Sequence, residues 1–584
     1  MIAAMLAAAA LGPPVTIAGP SAAITAVDGV SLAADGSGAV VYRETVNGVV
    51  HVFVSLEHGG SWAPGVQVDP GVAAGASAAS VAAGADGRVA VAWIAGGTLY
   101  DAVDAGGTAA FTAPQPLGAA AGQPALGIGI SGTAYLAYAA PDTGGSDVDV
   151  ARLDRSATSF VALGALTAAP AALSGSPVLT VAADATAVVA WTQAVGGVTH
   201  VMIRRASGAG PSPVLDDATV PSLGGVAGGA ADSPQVGVEF DSSNAWVAFR
   251  ETFGTSSRLI VDELLGDELR PPLPADSLGS AAGSASAPSL AVGGNGAGLL
   301  AGQIAPSGAL TIAALGTRAQ PFAWTPGAIA APASVSAPLC AASASGTGAV
   351  VYAPQAGALD AQLFANGVAA GAPLALSGAA LGAVASVGGV ATDNRGDVVV
   401  AYLAGQSVVV RPLVAPLGAP RALGTELWIG QSRPLLSWQA APSSWGSVSY
   451  TVYVDGARVG TTTATSFRPP PIADGRHSWS VTATDSLGGR SASLTRRLLI
   501  DAATPVLRIS ISGRRTAGTA LTFRVSVGAI SGVRAVTIAF GDGARAHSSI
   551  AGHAYAATGV YTITVSAMDR AGVSVSAQEE VHIK

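Results

Sequence analysis

The chain has 584 residues, of which 50% are hydrophobic, 11% are charged and 5% are aromatic, and its formal net charge is −8. This length is too great for one hydrophobic core, and 76 glycines and 35 prolines interrupt the sequence too often for long helices. No apolar run reaches the roughly 18 residues of a membrane-spanning helix, and 27 acidic against 13 basic residues in positions 1–424 argue against nucleic-acid binding.

The N-terminus resembles the apolar region of a secretory signal. The sequence MIAAMLAAAALG is followed by Pro13-Pro14, but the basic residues that normally precede such a region are missing. We predict a truncated export segment over residues 1–23; the alternative is a hydrophobic terminus with no role in export.

Residues 24–424 contain one pattern eight times. A short apolar strand and a turn precede a second strand that ends in an aromatic residue, as in VAVAW and AVVAW. Successive strand ends lie 45–58 residues apart. These positions are Tyr42, Trp93, Tyr138, Trp191, Phe249, Gly302, Tyr352 and Tyr402, with glycine replacing the aromatic in the sixth copy.

Four short strands in each repeat, joined by tight turns, are typical of the blade of a β-propeller. The alternation of apolar and polar residues excludes helical solenoids, whose period is 3.6 residues. We therefore predict an all-β chain with a β-propeller of eight blades over residues 24–424, or of seven if one repeat is irregular. The strand-end aromatics should fill the space between blades, and the blade of Gly302 should pack more loosely.

One tripeptide occurs twice directly after a strand-end aromatic. It begins at Arg43-Glu44 in the first repeat and at Arg250-Glu251 in the fifth. In a ring of eight these blades face each other, and the connection between second and third strands lies on the rim where propellers usually bind ligands. Arg and Glu side chains offer donors and acceptors to a polar ligand such as a glycan, so these four residues are the candidate ligand-binding set. The alternative is a local ion pair that caps the strand.

The segment Ser55–Trp62, SLEHGGSW, resembles the Asp-box of sialidases, with Glu57 where that motif has Asp. In that family the box is a blade-stabilising turn remote from the active site, so the resemblance implies no hydrolysis. The other catalytic groups of sialidase-like enzymes are not recognisable here. The histidines are scattered and Cys340 is the only cysteine, so we predict no catalytic residue, metal site, disulfide or cofactor, and a buried Cys340.

Residues 425–503 have a different pattern, with alternating strands such as SYTVYVDG and a central Trp438. This region resembles a fibronectin type III or immunoglobulin-like sandwich with Trp438 in its core.

Residues 504–584 resemble a PKD (polycystic kidney disease) domain. The motif consists of AFGDG and, ten residues later, HAYAATGVYTITV. The resemblance implies that these residues set a turn and a packed tyrosine and have no catalytic role. The motif positions are Phe540, Asp542, His553, Tyr555 and Tyr561.

The combination resembles secreted bacterial repeat proteins that carry a propeller and sandwich modules. We predict a monomeric, non-catalytic binding protein, secreted or associated with the cell envelope, whose propeller rim contacts a polysaccharide or a protein. One alternative is a sialidase-like hydrolase or lyase, which needs two carboxylates about 5–10 Å apart on the rim. The other is a purely structural surface protein, which predicts no concave polar cluster there.

Overall fold

The computed structural model describes residues 10–239, 244–276, 283–293, 296–315, 324–327, 334–415, 417–424, 426–442, 447–485 and 489–584. Within these ranges the regular structure is β throughout, apart from one 3-10 turn at Ala379–Leu381. The chain forms two compact units that divide between residues 416 and 417. The predicted all-β class is confirmed.

The first unit contains consecutive antiparallel sheets, which we number I to VIII along the chain. Sheet I consists of Ile24–Leu32, Gly38–Val46, Val49–His58, Ser61–Trp62 and Val66–Gln67. Sheet II consists of Ala76–Ala83, Val89–Ala95, Thr98–Asp104 and Gln115–Ala119. Sheet III consists of Ala121–Ile128, Ala134–Asp142, Gly145–Leu153 and Val161–Ala165. Sheet IV consists of Val178–Val181, Ala187–Val195, Val198–Ser207, Gly210–Pro211 and Asp216–Asp217.

The later sheets follow the same order of strands. Sheet V consists of Ser222–Leu223, Val226–Val238, Ala245–Phe253, Ser256–Leu265, Glu268–Leu269 and Leu273–Pro274. Sheet VI consists of Ser289–Val292, Gly298–Ala305, Ala309–Leu315 and Trp324–Gly327, and Ser284–Ala285 joins it to sheet V. Sheet VII consists of Leu339–Ala342, Thr347–Tyr352, Asp360–Ala365 and Val368–Ala375. Sheet VIII consists of Val384–Thr392, Val398–Ala404 and Ser407–Val414, with Ala10–Leu11 and Val15–Ala18.

The described sheets form a closed cycle. The strand that precedes the strand-end aromatic strand in each sheet contacts its counterpart in the next sheet, and that of sheet VIII contacts that of sheet I. Apolar clusters fill the spaces between successive sheets from I to VIII. Each sheet therefore buries both faces against its neighbours, which four short strands cannot do alone.

The outer strand of sheet VIII comes from the N-terminal part of the chain. Ala10 pairs with Val414 and Val15 with Val410, and the Gly12 N–H donates to the Pro412 carbonyl over 2.9 Å. Residues 10–11 and 15–18 of the predicted export segment 1–23 thus pair with sheet VIII, and an export role of that segment stays a prediction. Residues 1–9 of that segment lie outside the described residues.

The strand-end aromatics are all buried, with at most 4% of each residue exposed. Trp93, Tyr138, Trp191, Phe249 and Tyr402 belong to the clusters between their own sheet and the preceding one. These five large side chains therefore lie in the spaces between successive sheets.

Gly302 takes the place of an aromatic in sheet VI. A Cβ atom at this position would lie 2.8 Å from Leu259 Cδ1, a side chain of sheet V. Leu259 is 1% exposed and belongs to the cluster between sheets V and VI. The expected loose packing is thus absent at this position, because a side chain from the neighbouring sheet occupies the space of the missing ring.

The second unit contains two sandwiches. The first pairs Arg421–Leu423, Leu436–Gln439 and Ser466–Phe467 in one sheet and Trp428–Ile429, Ser449–Val454, Ala457–Thr462, Gly475–Thr484, Arg490–Ala492 and Arg496–Ile500 in the other. Trp438 is 3% exposed, and its ring lies 5.3 Å from that of Tyr450 and 6.5 Å from that of Trp479. The second pairs Val506–Ser512, Ala520–Gly528 and Ile550–Ala554 in one sheet and Val533–Ala539, Arg545–Ala546, Gly559–Asp569 and Ser574–Ile583 in the other.

Candidate ligand-binding rim

The candidate residues lie at one edge of the cycle, which we call the upper rim. It is the edge at which the second strand of each sheet ends and the third begins. Arg43 and Glu44 lie there in sheet I, and Arg250 and Glu251 lie there in sheet V.

Arg43 forms a bidentate ion pair with Asp28 of the first strand in its own sheet. Its Nε donates to Asp28 Oδ2 over 2.6 Å and its Nη2 donates to Oδ1 over 2.9 Å. A register shift between Val27 and Gly29 displaces Asp28 from regular pairing, and such bulges re-aim side chains. The Arg43 side chain keeps 18% exposure, and its Nη1 also reaches the carbonyl of Ala76 in sheet II.

Arg250 repeats this arrangement in sheet V. Its Nε and Nη2 donate to the two carboxylate oxygens of Asp232 over 3.0 and 2.5 Å. Asp232 also stands at a register shift of the first strand, and the two side chains are 35% and 40% exposed. The sequence indicated both arginines but not their partners, which stand 15 and 18 residues upstream as single acidic residues within apolar strands.

The two glutamates of the repeated tripeptide differ from each other. Glu44 is half-buried and accepts a hydrogen bond of 3.4 Å from the Ser21 hydroxyl. Glu251 is fully buried; its Oε2 accepts the Val220 N–H over 3.0 Å, and burial raises its pKa to about 7. The carboxyl group of Glu251 is therefore enclosed between sheets IV and V, and ligand binding by Glu251 stays a prediction.

A second polar pair recurs on the upper rim, and sequence reasoning missed it. A side chain near the start of the third strand meets one at or just after the last strand of the same sheet. The third-strand member stands nine residues after the strand-end aromatic each time. The sequence did contain a signal for these pairs, because a polar residue recurs at the same position of an otherwise apolar third strand. The pairs are His51–Asp69 at 3.0 Å, Asp147–Thr167 at 2.5 Å, His200–Asp217 at 2.8 Å and Arg258–Asp276 at 2.8 Å.

The Asp-box-like segment forms a tight turn in sheet I. Glu57 is fully buried, its Oε1 accepts the Gly60 N–H over 2.5 Å, and the Ser55 hydroxyl donates to the Ala63 carbonyl over 2.5 Å. Asp104 holds a turn of sheet II in the same way, by accepting the N–H groups of Gly106 and Ala109 over 3.0 and 2.6 Å. These carboxyls stabilise turns at the edge opposite to the upper rim.

Cys340 is buried as a small apolar residue. Its N–H donates to the Ser289 hydroxyl over 2.8 Å, and burial raises the pKa of the thiol to about 12. In the described ranges, no three His, Cys, Asp or Glu side chains come close enough together to hold a metal ion. The same ranges contain no helix that is long and apolar enough to cross a bilayer.

The motif residues of the last sandwich pack against one another. The Phe540 ring stacks on His553 at 4.1 Å, and His553 Nε2 lies 2.7 Å from Asp542 Oδ2. The Tyr555 hydroxyl donates to the Phe540 carbonyl over 3.0 Å, while its ring stacks on Tyr561 at 4.2 Å. Each of these contacts is internal to the sandwich.

Comparisons with known proteins agree with this architecture. Residues 502–584 match the family model of the PKD domain, which confirms the resemblance in the sequence. No curated protein matches the chain.

Several solved structures are similar to parts of the chain. The Dos1 propeller is 8% identical with a TM-score of 0.43, and the match covers 70% of this chain and 96% of that one. The polysaccharide lyase Uly1 is 12% identical with a TM-score of 0.40, over 69% and 99% of the two chains. The fibronectin(III)-like modules of Clostridium thermocellum CbhA are 15% identical with a TM-score of 0.19, over 29% and 92%. At these identities the likenesses concern the fold alone.

Proposed function

We propose that the first unit is an eight-bladed β-propeller and that the chain is a non-catalytic binding protein, secreted or held at the cell envelope. The closed cycle of contacts between first strands supports a ring of eight blades, with residues 10–18 as the outer strand of the last. In this proposal the ligand is a polysaccharide or a protein, and it binds the upper rim.

The matched Arg–Asp pairs in sheets I and V carry this proposal. Each pair presents guanidinium donors beside carboxylate acceptors, and Arg43, Arg250 and Asp232 are partly exposed. Neighbouring hydroxyls of a sugar each need a donor and an acceptor, so such a pair suits a polyol. Two equal sites on opposite sides of an eight-membered ring favour a long repeating chain, because engagement of both sites raises its avidity.

Three buried carboxyls with raised pKa values, those of Glu251, Asp262 and Asp397, are unsuited to hydrolysis of a bound glycan. Glu251 and Asp262 are both buried between sheets IV and V, and Asp397 is buried in the turn that follows the first strand of sheet VIII. A general acid has to come within hydrogen-bond reach of the substrate, and these groups are enclosed. A binding role therefore accounts for the arrangement better than a hydrolase does.

The sandwiches act in this proposal as spacer or attachment modules. Residues 425–584 carry 15 basic and 9 acidic residues, the opposite balance to that of the propeller. A basic module favours contact with an anionic surface such as a charged envelope polymer. The PKD domain, a module common in extracellular proteins, supports the location outside the cell.

A glycan-array screen of the full chain tests the binding role. We expect saturable binding that falls at least about tenfold in Arg43→Gln/Arg250→Gln, because hydrogen bonds to charged groups contribute about 1.5–3 kcal/mol each. Arg155→Gln is the matched control: Arg155 forms an exposed ion pair with Asp86 in a first-to-second-strand turn, away from the upper rim.

Three outcomes would contradict the proposal in different ways. Absence of binding to every glycan removes the carbohydrate ligand and leaves a protein partner or a structural role. Binding that survives in the double variant removes the rim pairs as the site. Cleavage of a bound glycan would make the chain an enzyme.

A further inference from the structure

The first sheet of the PKD sandwich carries arginines but no acidic residue. Its strands are Val506–Ser512, Ala520–Gly528 and Ile550–Ala554, and none of them contains Asp or Glu. Residues 504–541, which include the first two strands, hold five arginines and no acidic side chain. The positive charge of this sheet is therefore not balanced within it. The acidic residues of the domain lie outside the three strands, at Asp542, Asp569, Glu579 and Glu580.

Two of the arginines share the outer face of the sheet. Exposure alternates along Val506–Ser512 and Ala520–Gly528, and Arg508 and Arg524 both stand on the exposed side. Arg524 lies opposite Ser510, so it is the diagonal neighbour of Arg508 at a distance of about 7–8 Å. Two long side chains at this spacing can reach the same ligand.

Hydroxyl groups occupy the positions around these arginines. Ser526 lies opposite Arg508, and Ser512 lies opposite Thr522. Thr522 is half-buried and the serines are exposed. The face thus alternates guanidinium donors for an anion with hydroxyls that can donate to or accept from a sugar. We call this set of residues the arginine face: Arg508, Ser510, Ser512, Thr522, Arg524 and Ser526.

The arginines of this face differ from those of the propeller rim. On the rim an aspartate neutralises each arginine, whereas neither Arg508 nor Arg524 has an ion-pair partner in the part of the chain that the structure describes. Like charges on neighbouring strands repel each other, and a bound anion would relieve that repulsion. The rim pairs suit an uncharged polyol, and the arginine face suits a negatively charged ligand.

The other features of the sheet favour an acidic polysaccharide over other polyanions. Arg514 and Arg515 are exposed in the loop that joins the first two strands, so an extended chain with repeated anionic groups would meet further positive charge there. None of the residues on the outer side of the three strands is aromatic, so nucleic-acid bases have no stacking partner. The exposed large apolar side chains of these strands are Val506 and Ile550, too few for insertion into a membrane surface.

We propose that the arginine face binds an acidic polysaccharide. Arg508 and Arg524 contact its carboxylate or sulfate groups, and the neighbouring hydroxyls contact the sugar rings. This inference rests on the attachment role proposed for the sandwiches, and it supplies the ligand class and the residues for that role.

Binding of the full chain to polygalacturonate, dextran sulfate and uncharged dextran tests this site. We expect Arg508→Gln/Arg524→Gln to bind the two acidic polymers at least about tenfold more weakly than the wild type, because the lost contacts recur along the polymer. Any binding of dextran should be equal in both proteins. The affinity of the wild type for the acidic polymers should fall as NaCl is raised from about 0.05 M to about 0.5 M, since exposed charges are screened by salt.

Arg534→Gln/Arg545→Gln is the matched control. It removes the same charge from two exposed arginines in the other sheet of the same sandwich, and it should keep the wild-type affinity. Arg508→Gln/Arg524→Gln should leave the thermal unfolding midpoint unchanged or raise it, because the two side chains are exposed and of like charge.

Absence of binding to both acidic polymers would overturn the proposal. Equal loss of affinity in the two double variants would overturn it as well, because net charge and not the arginine face would then account for binding. Tighter binding to single-stranded poly(dT) or to phosphatidylserine vesicles than to the acidic polymers would assign the face to nucleic acid or to a membrane. Arg43→Gln/Arg250→Gln separates this site from the rim: if that variant lowers the affinity for the acidic polymers and the PKD variant does not, the rim is the glycan site and the arginine face is not.

Discussion

Single residues of the first unit take their roles from neighbours that are distant in sequence. Arg43 and Arg250 follow a strand-end aromatic in the same local sequence, and in both cases an aspartate at a bulge of the first strand holds the guanidinium. Gly302 shows the converse, because a side chain of the preceding sheet has taken the space of its missing ring. What a position in the repeat does therefore depends on the sheet that packs against it.

Restoring an aromatic residue at position 302 tests this dependence. The repeat pattern alone suggests that Gly302→Tyr would stabilise the ring, but the Leu259 side chain leaves no room for a Cβ atom. We expect Gly302→Tyr to lower the free energy of unfolding by about 1–3 kcal/mol through overpacking. Urea denaturation of the wild type, the two single variants and the double variant with Leu259→Ala measures this loss of unfolding free energy. The two changes in side-chain volume should offset each other. The double variant should therefore lose less unfolding free energy than the two single variants lose together. A stabilising Gly302→Tyr would refute the role assigned to Leu259.

Among the elements, the outer strand of sheet VIII has the largest consequence for the ring. It reaches its partner, Ser407–Val414, from the opposite end of the first unit, and so ties the last sheet to the beginning of the chain. Without it, the N–H and C=O groups of Ser407–Val414 would form an open sheet edge, which favours aggregation.

Deletion of residues 1–18 should therefore destabilise the first unit. The deletion removes several backbone hydrogen bonds at a net contribution of about 1 kcal/mol each, together with the packing of Leu11 against the cluster between sheets VII and VIII. Calorimetry should show a lower unfolding midpoint, and light scattering should show self-association that rises with concentration. Deletion of residues 1–9 alone is the control and should leave both measurements unchanged. A chain that stays monomeric and equally stable without residues 10–18 would show that this strand is dispensable.

At the scale of the whole molecule, the first unit contains a group of buried carboxyls whose pKa values are raised. Burial raises the pKa values of Glu57, Asp101, Glu251 and Asp397 to about 7 and that of Asp262 to about 8. Asp101 is the simplest case: it is fully buried between sheets II and III, and neither of its carboxyl oxygens has a hydrogen-bond partner among the described residues.

These groups should make the first unit less stable as the pH rises. Their pKa values lie near 4 in the unfolded chain, so between about pH 4 and pH 7 the folded state keeps protons that the unfolded state releases. The stabilisation is complete below pH 4 and is lost as the pH rises through 7. Calorimetry at pH 5 and pH 8 should show a lower midpoint at pH 8 for the transition of the first unit.

Asp101→Asn identifies the unfolding transition that belongs to the first unit. The substitution should reduce the pH dependence by about one proton, or about 1.4 kcal/mol per pH unit in the affected range, and should move only the transition of the first unit. A first unit equally stable at both pH values would contradict the assignment of these carboxyls as buried acids.

Local patterns in the sequence determined much of this protein. Period-two alternation and turn residues are properties of neighbouring residues, so the strands, the eightfold repeat and the PKD motif could be predicted without a structure. The same holds for the burial of Tyr42, Trp93 and the other strand-end aromatics, because a large side chain that recurs at one place in each repeat has to pack at one place in each sheet.

Only the tertiary structure decided which residues meet when the ring closes. It paired Arg43 with Asp28, buried Glu251, placed Leu259 beside Gly302 and brought residues 10–18 to the last sheet. Among the described residues it also gave the Tyr402 hydroxyl a hydrogen-bond partner, the Leu376 carbonyl, but none to the equivalent Tyr352 hydroxyl. The physical reason is that bulges, register and the packing of one sheet on the next arise from contacts between distant segments, and a repeat read along the chain contains none of them.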